Sequence, residues 1–245
     1  MELHQYKQRQ MERRIRSFAD RHGPRTLDEY ARQLRSDPGE LDALLDRITI
    51  NVSQLFRNPE QWKRLAADIV PELASAPGGR IRAWSAGCSF GAEAFSLAAT
   101  VRDVAPTARL EIRASDIDRR ILAAAGRGEF TGEDARSAPP ELMQRHFEQL
   151  PNGGWRASAD LRSLVRFHHE DMLATEPPRA SFDLVLCRNV VIYFTGEARE
   201  DVHARLARSL RPGGFLMIGS TERIAQSLDE LDLEATAPFV FRKRS

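Results

Sequence analysis

From about residue 80 onward, short apolar runs alternate with stretches of helical spacing. Arg80 to Ala86, Arg109 to Ser115, Leu164 to His168, Phe182 to Cys187 and Gly214 to Gly219 read as strands, with Pro238 to Arg242 as a last one. Between them, Ala92 to Arg102, Arg119 to Ala125 and Glu197 to Leu210 read as helices. This alternation predicts right-handed βαβ units and a mostly parallel sheet. In such sheets a ligand sits beyond the carboxyl ends of the strands. Phe147 to Phe167, with Pro151-Asn152-Gly153-Gly154 at a turn, predicts a small antiparallel hairpin and no helix.

The first residues follow a different rule. Met11, Ile15 and Phe18 lie at i, i+4 and i+7 and share one helical face. Arg9, Arg13 and Arg16 repeat that spacing two positions earlier, about 200° round the helix, on the opposite side. His22-Gly23-Pro24 ends this helix, and Thr26 or Asp28 can cap a second. Ser36-Asp37-Pro38-Gly39 then separates the second from a third, near Glu40 to Asp46. The expected organisation is a helical domain over 1–48, a linker and helix over 49–79, and an α/β domain over 80–245 with a small β subdomain at 146–168.

At 245 residues and 42% hydrophobic composition, the chain is long enough to bury a full core. Its 36 basic and 35 acidic residues exclude a globally basic nucleic-acid binder. The balance is local rather than uniform: residues 1–35 hold nine Lys/Arg against five Asp/Glu. Two cysteines, Cys88 and Cys187, cannot build a disulfide framework or a four-cysteine zinc site. Uncharged runs stop at ten residues, as in Pro212 to Thr221, whereas a membrane span needs about 20. With its polar, basic start, the chain is expected to be cytoplasmic, without direct membrane insertion.

Candidate chemistry gathers at the predicted strand ends. The first strand runs into Trp84-Ser85-Ala86-Gly87-Cys88-Ser89-Phe90-Gly91-Ala92-Glu93, a glycine-containing loop opening a helix. Nucleotide-like ligands approach backbone at such loops. A tight turn with no ligand accounts for this stretch equally well. The second strand ends in Ala114-Ser115-Asp116, and an acid there commonly accepts ribose hydroxyls. Asp116 serves equally as a helix N-cap. Loop and acid at adjacent strand ends together favour a nucleoside cofactor. Arg188-Asn189, straight after Leu184-Val185-Leu186, marks another strand end, although loop polarity is the plainer reading of that pair alone.

Taken in order, Thr49-Ile50-Asn51-Val52-Ser53-Gln54-Leu55-Phe56-Arg57, Trp84-Ser85-Ala86-Gly87-Cys88-Ser89, Ala114-Ser115-Asp116-Ile117, Cys187-Arg188-Asn189-Val190-Val191-Ile192-Tyr193-Phe194 and Leu210-Arg211-Pro212-Gly213-Gly214 resemble the CheR family of chemotaxis-receptor glutamate O-methyltransferases. The Cys-Arg-Asn-Val-x-Ile-Tyr-Phe stretch is the most specific of these. The resemblance implies a Rossmann-like class I methyltransferase sheet with a small N-terminal helical domain and a short antiparallel β hairpin subdomain. It implies S-adenosylmethionine as cofactor, S-adenosylhomocysteine as product, and no metal. By motif position, Asn51, Ser53 and Arg57 are expected at the cofactor's amino-acid end, Glu93 at its ammonium and Asp116 at its ribose. Gly87, Asp171, Met172, Asn189 and Val190 complete the expected cofactor set. The chain departs from the family where Phe90-Gly91-Ala92-Glu93-Ala94-Phe95 replaces the frequent Thr-Gly-Glu-Glu-Pro-Tyr, where Ser53 replaces Thr, and where Asp171 replaces Asn. Phe90 is expected to cover the cofactor.

A glutamate carboxyl, with a pKa of about 4.3, is already ionised at neutral pH, so methyl transfer to it needs no general base. Alignment and partial desolvation are the expected sources of rate. Arg57, Arg188 and Tyr193 are candidates to orient the accepting carboxylate, with Tyr193 and Arg57 taken as the catalytic pair. The adjacent His168 and His169 are read as non-catalytic. Arg9, Arg13 and Arg16 are read as a docking row for the acidic cytoplasmic helices of methyl-accepting receptors; a solvated charged face is the bland alternative. The short hairpin speaks against tethering to a receptor peptide, and a monomer is expected. Rival readings are a methyltransferase for another protein or a small molecule, and a non-catalytic cofactor-binding signalling module.

Overall fold

The computed structural model describes residues 3–22, 26–37, 39–40, 43–44 and 53–244. Ten strands are present among them: β1 (Arg80–Ala86), β2 (Arg109–Asp116), β3 (Glu129–Phe130), β4 (Phe147–Gln149), β5 (Trp155–Ala157), β6 (Val165–His169), β7 (Phe182–Cys187), β8 (Leu210–Ile218), β9 (Leu233–Ala237) and β10 (Val240–Lys243). Seven form one sheet in the order β6-β2-β1-β7-β8-β10-β9. The pairs from β6 to β8 are parallel, and β10 pairs antiparallel with both β8 and β9. The chain reverses its direction of build between β1 and β7, which makes the carboxyl ends of those two strands the switch point. This is the Rossmann-like class I methyltransferase sheet that the motifs imply.

Apolar residues on one sheet face pack under helices Pro59–Arg64, Ala92–Val104, Arg119–Ala125 and Ala159–Leu164. The other face, under β7 and β8, packs against helix Gly196–Ser209 and the N-terminal helices. Helix Ala92–Val104 is buried nearly all round, which explains its run of small and apolar residues. Leading into β1, Pro59–Arg64, a π turn at Leu65–Ile69 and Val70–Ser75 run on as one rod. Pro71 has no N–H for a helical bond, and the Val70 N–H reaches back five residues to the Leu65 carbonyl. One wide turn thus accommodates the proline without breaking the rod.

The N-terminal domain begins with helices Gln8–His22 and Leu27–Ser36. Thr26 caps the second, accepting from the Glu29 N–H at 3.2 Å while Glu29 accepts from the Thr26 N–H. This reciprocal box settles the choice between Thr26 and Asp28. Of the expected third helix, Glu40, Ala43 and Leu44 are described and helical; Asp46 lies outside the described residues.

Four short elements differ from the sequence reading. The hairpin β4–β5 gains a third strand, β3, which lies outside the expected 146–168 span. Within that span, helix Ala159–Leu164 starts at Ser158, whose hydroxyl accepts from the Leu161 N–H at 3.3 Å. Helix Pro140–His146 and strand β9 are likewise additions to the sequence reading. Each spans seven residues or fewer, too short for a period to declare itself. The connection from β6 to β7, residues 170–181, holds no helix.

Candidate active site

A cleft opens at the carboxyl ends of β1, β2 and β7. Its floor is the turn after β1. Gly87 has φ +77°, and its N–H and that of Cys88 donate to the Ser115 carbonyl at 2.8 and 2.9 Å. A Cβ on Gly87 would stand 2.5 Å from Val190 Cγ2. The glycine therefore meets both requirements of such a turn, a left-handed φ and a close approach of two strand-end loops.

Asp116 closes the β2 side. One carboxylate oxygen accepts from the Ser89 N–H at 2.8 Å and the other from the Asp118 N–H at 3.0 Å. Each oxygen retains further acceptor capacity, and the side chain lines the cleft. Burial pushes its carboxyl pKa up, against the lowering by these N–H groups. The capping role goes to Asp118, whose side chain accepts from Arg120 and Ile121 at the start of the next helix. Asp116 is thereby left facing the cleft rather than serving as an N-cap.

Glu93 stands in the first turn of helix Ala92–Val104 and is 8% exposed. It accepts from the Ser85 hydroxyl at 2.7 Å and lies 3.4 Å from the Arg188 guanidinium. Burial raises its pKa, with Arg188 the strongest opposing influence. Arg188 is itself buried. It donates to Gln61 Oε1 at 2.9 Å, to the Arg57 carbonyl at 2.5 Å and to Asn58 Oδ1 at 3.3 Å, and it covers the Trp62 ring. With four of its five N–H donors engaged, Arg188 is a brace between the β7 end and the 57–62 segment, and it also lines the cleft.

The loop after β7 is held by a residue outside the sequence-derived set, Glu222. Its carboxylate accepts from the backbone N–H groups of Gly219 at 2.6 Å and of Asn189 and Val190 at 2.9 Å each. Asn189 has φ +62°, a left-handed conformation that asparagine tolerates better than most residues. Glu222 is 3% exposed, and these N–H groups satisfy its buried carboxylate.

The last wall comes from the start of the chain. The Lys7 N–H donates to the Tyr193 carbonyl at 2.9 Å, and the Thr195 N–H donates to the Gln5 carbonyl at 2.8 Å. Tyr6 stacks edge-on against Phe194 with ring centroids 5.1 Å apart. Tyr6 and Met11 thereby line the cleft together with Asp116 and Asp171. Tyr193 is half-buried, with the Arg14 guanidinium 5.6 Å over its ring. Burial raises its phenol pKa, so it stands protonated as a donor at neutral pH.

The structure brings Ser53, Arg57, Gly87, Glu93, Asp116, Asp171, Met172, Asn189, Val190 and Tyr193 around this one cleft. Asn51 lies outside the described residues. Arg9, Arg13 and Arg16 are exposed on the outer face of helix Gln8–His22, beside Glu12 and Asp20, while Met11 and Phe18 are buried. Phe90 corrects the expectation of a cover: its ring packs at 6.2 Å from Phe130, against the core of the small sheet. His169 meets the Ile117 carbonyl at 2.9 Å, consistent with a structural place. Gln61, Ser85 and Glu222 belong to the site's support and were absent from the sequence reading. A buried acid three residues past Gly219 carries little local signal, because two of its three partners, the Asn189 and Val190 N–H groups, lie more than 30 residues away.

For a bound adenosyl-sulfonium ligand the fit is favourable. The cleft combines a glycine turn that admits close approach, one buried and one half-buried carboxylate suited to cationic and hydroxyl groups, and an aromatic and thioether wall. Among the described residues no group of His, Cys, Asp and Glu has the arrangement of a metal site.

Comparison with known proteins bears on the same residues. The family described as "CheR methyltransferase, SAM binding domain" matches residues 51–239, and "CheR methyltransferase, all-alpha domain" matches residues 1–49. A chemotaxis protein methyltransferase of Listeria monocytogenes is 36% identical over 94% of this chain and 87% of its own length. Chemotaxis protein methyltransferase 1 of Pseudomonas aeruginosa is 32% identical over 92% of this chain and 85% of its own.

Proposed function

Because this chain belongs to the CheR methyltransferase family, we propose that it transfers a methyl group from S-adenosylmethionine to glutamate side-chain carboxylates of chemotaxis receptors, giving methyl esters. The observation that carries the reading is the convergence of Arg57, Glu93, Asp116, Asn189-Val190 and Tyr193 on one cleft at the switch point of a Rossmann-like sheet. When bound, S-adenosylmethionine supplies a sulfonium methyl for in-line displacement by a carboxylate oxygen.

The chain's own part is to bind, orient and exclude water. Asp116 accepts the ribose hydroxyls, and the turn at Gly87 admits the ligand against backbone. Asp171, Met172, Asn189 and Val190 surround the adenine. Asn51, Ser53 and Arg57 meet the amino-acid end. The Glu93–Arg188 pair stands next to that end with Glu93 facing the ammonium, and Arg188 opposes the burial that raises the Glu93 pKa. Tyr193 donates a hydrogen bond to the accepting carboxylate, and Arg57 adds charge complementarity. No proton is removed from the substrate, since its carboxyl is ionised at neutral pH.

Receptor helices rich in acid dock on Arg9, Arg13 and Arg16, which stand exposed on the first helix. The protein acts as a cytoplasmic monomer; among the described residues no helix is long and apolar enough to cross a membrane.

Labelled methyl transfer to receptor-containing membranes tests the whole reading. Label should enter the receptor and leave as methanol in mild base. Transfer that resists base would mean an N-methyl product, and absence of transfer despite cofactor binding would favour a non-catalytic module.

A further inference from the structure

Strands of a parallel sheet are normally covered on both faces and read as continuous apolar runs. β1, β2 and β6 do not. Ile81 and Ala83, Leu110 and Ile112, and Val165 point into the core. The alternate positions hold Arg80 and Arg82, Arg109, Glu111 and Arg113, and Arg166 and His168, before the face is covered at Trp84, Ala86 and Ser115 near the carboxyl ends. The cause is topological. A crossover from β6 to β7 ordinarily lays a helix over this face, and residues 170–181 hold none. What remains is a groove floored by Arg82, Arg113 and Arg166 and edged by Leu164 and Pro178.

The charge on this face is unbalanced. Arg80 pairs with Glu111 at 2.7 Å, and Arg113 pairs with Glu170. Arg82, Arg109 and Arg166 form no ion pair among the described residues. His168 adds no charge at neutral pH, because burial and Arg113 lower its pKa. The floor therefore already pairs with carboxylates; Arg82 and Arg109 carry charge with no ion pair among the described residues, and Arg166 donates from one guanidinium nitrogen to the Ser163 and Val165 carbonyls. Its width matches one shape: three strands about 4.8 Å apart span about 10 Å, the diameter of an α-helix with its side chains. None of Arg82, Arg109 and Arg166 lines the cofactor cleft.

We propose that this open sheet face is a docking site for an acidic helical segment of a partner protein. The partner's carboxylates pair with Arg82, Arg109 and Arg166, and its apolar side chains rest on Leu164 and Pro178. The segment takes the place of the missing crossover helix. It is a contact separate from the methyl-accepting site and does not depend on the activity of that site.

The test uses the full chain and two fluorescent helical peptides with the same apolar pattern, one carrying glutamates and the other lysines. Fluorescence anisotropy should show the glutamate peptide binding and the lysine peptide not. Arg82→Glu with Arg166→Glu should weaken that binding at least about tenfold, the loss expected for two charge-assisted contacts. Arg82→Gln with Arg166→Gln should weaken it less, and keeps the test open if charge reversal upsets folding. Affinity for S-adenosylhomocysteine should stay at the parent value in both variants. Arg13→Glu, on the first helix, should leave peptide binding unchanged. Equal binding by parent and Gln variant, or loss with Arg13→Glu alone, overturns the proposal. So does tight binding of inorganic polyphosphate without binding of the glutamate peptide, which would make the face a general polyanion site.

Discussion

Asp116 and Glu222 show how single carboxylates do different work in one cleft. Asp116 organises the Ser89 and Asp118 N–H groups and still faces the ligand. Asp116→Ala should weaken S-adenosylmethionine affinity by about tenfold or more, the value of one charge-assisted hydrogen bond. Calorimetry in chelator measures this directly, and parent-like affinity in a folded variant would displace the ribose from Asp116. Glu222 touches only backbone, at Gly219, Asn189 and Val190. Removing its side chain strands one buried donor, Gly219, at about 1–3 kcal/mol, and frees two part-buried ones, Asn189 and Val190. Glu222→Ala should therefore lose stability and cofactor affinity together, read by urea unfolding and calorimetry on the same sample. A variant that unfolds like the parent would show that water replaces the carboxylate.

Helices carry the next two expectations. Reversal of Arg9, Arg13 and Arg16 to Glu should lower receptor methylation and spare cofactor binding, because these side chains are exposed while Met11 and Phe18 hold the helix down. The parent's rate should fall with added salt, which screens exposed charges beyond about 8 Å at physiological ionic strength. Methylation on membranes at two salt concentrations decides, and an unchanged low-salt rate would leave the row merely solvated. Helix Gly196–Ser209 holds His203 fully buried, with neither ring nitrogen hydrogen-bonded. Burial, helped by Arg199, lowers its pKa to about 4. The unfolded chain, with a histidine near 6.5, binds more protons across that interval. Stability contributed by neutral His203 is whole above about pH 6.5 and drains away as pH falls towards 4. Melting temperature should drop over this window in the parent and drop less in His203→Leu. Parallel curves for the two proteins would mean that other groups govern the acid limb.

At the scale of the whole molecule, much was legible because it repeats. The core strands β1, β2 and β7 and the long helices announce themselves by period, and their ends carry the glycine turn, Asp116 and Asn189 in order. What escaped has partners far off in sequence or too little length to show a period. Glu222 answers amides of the β7 loop, and Gln61 donates to the Ile218 carbonyl at 2.9 Å while accepting from Arg188. Helix Ala159–Leu164 has fewer than two turns, and β3 has two residues. Phe90 misled because its bulk was legible and its direction was not. The cleft also couples two domains, since Tyr6 and Met11 complete a wall otherwise made by the sheet. Saturating S-adenosylhomocysteine at 100 times its dissociation constant should stabilise the protein by about 2.7 kcal/mol. Tyr6→Ala should reduce that gain by weakening binding, and a thermal shift equal to the parent's would show the first segment to be a bystander.

The pairing of residues 5–7 with residues 193–195 sets an order of events during synthesis. Gln5 and Lys7 leave the ribosome 190 and 186 residues ahead of their partners Thr195 and Tyr193. At roughly 5–20 residues per second, the leading segment waits on the order of ten seconds or more for the strand it must meet. Helix Gln8–His22 meanwhile has the rest of its own domain for cover, but Tyr6 and Met11 have no wall to join. The cofactor cleft therefore stays incomplete until residues 193–195 have emerged and closed on residues 5–7.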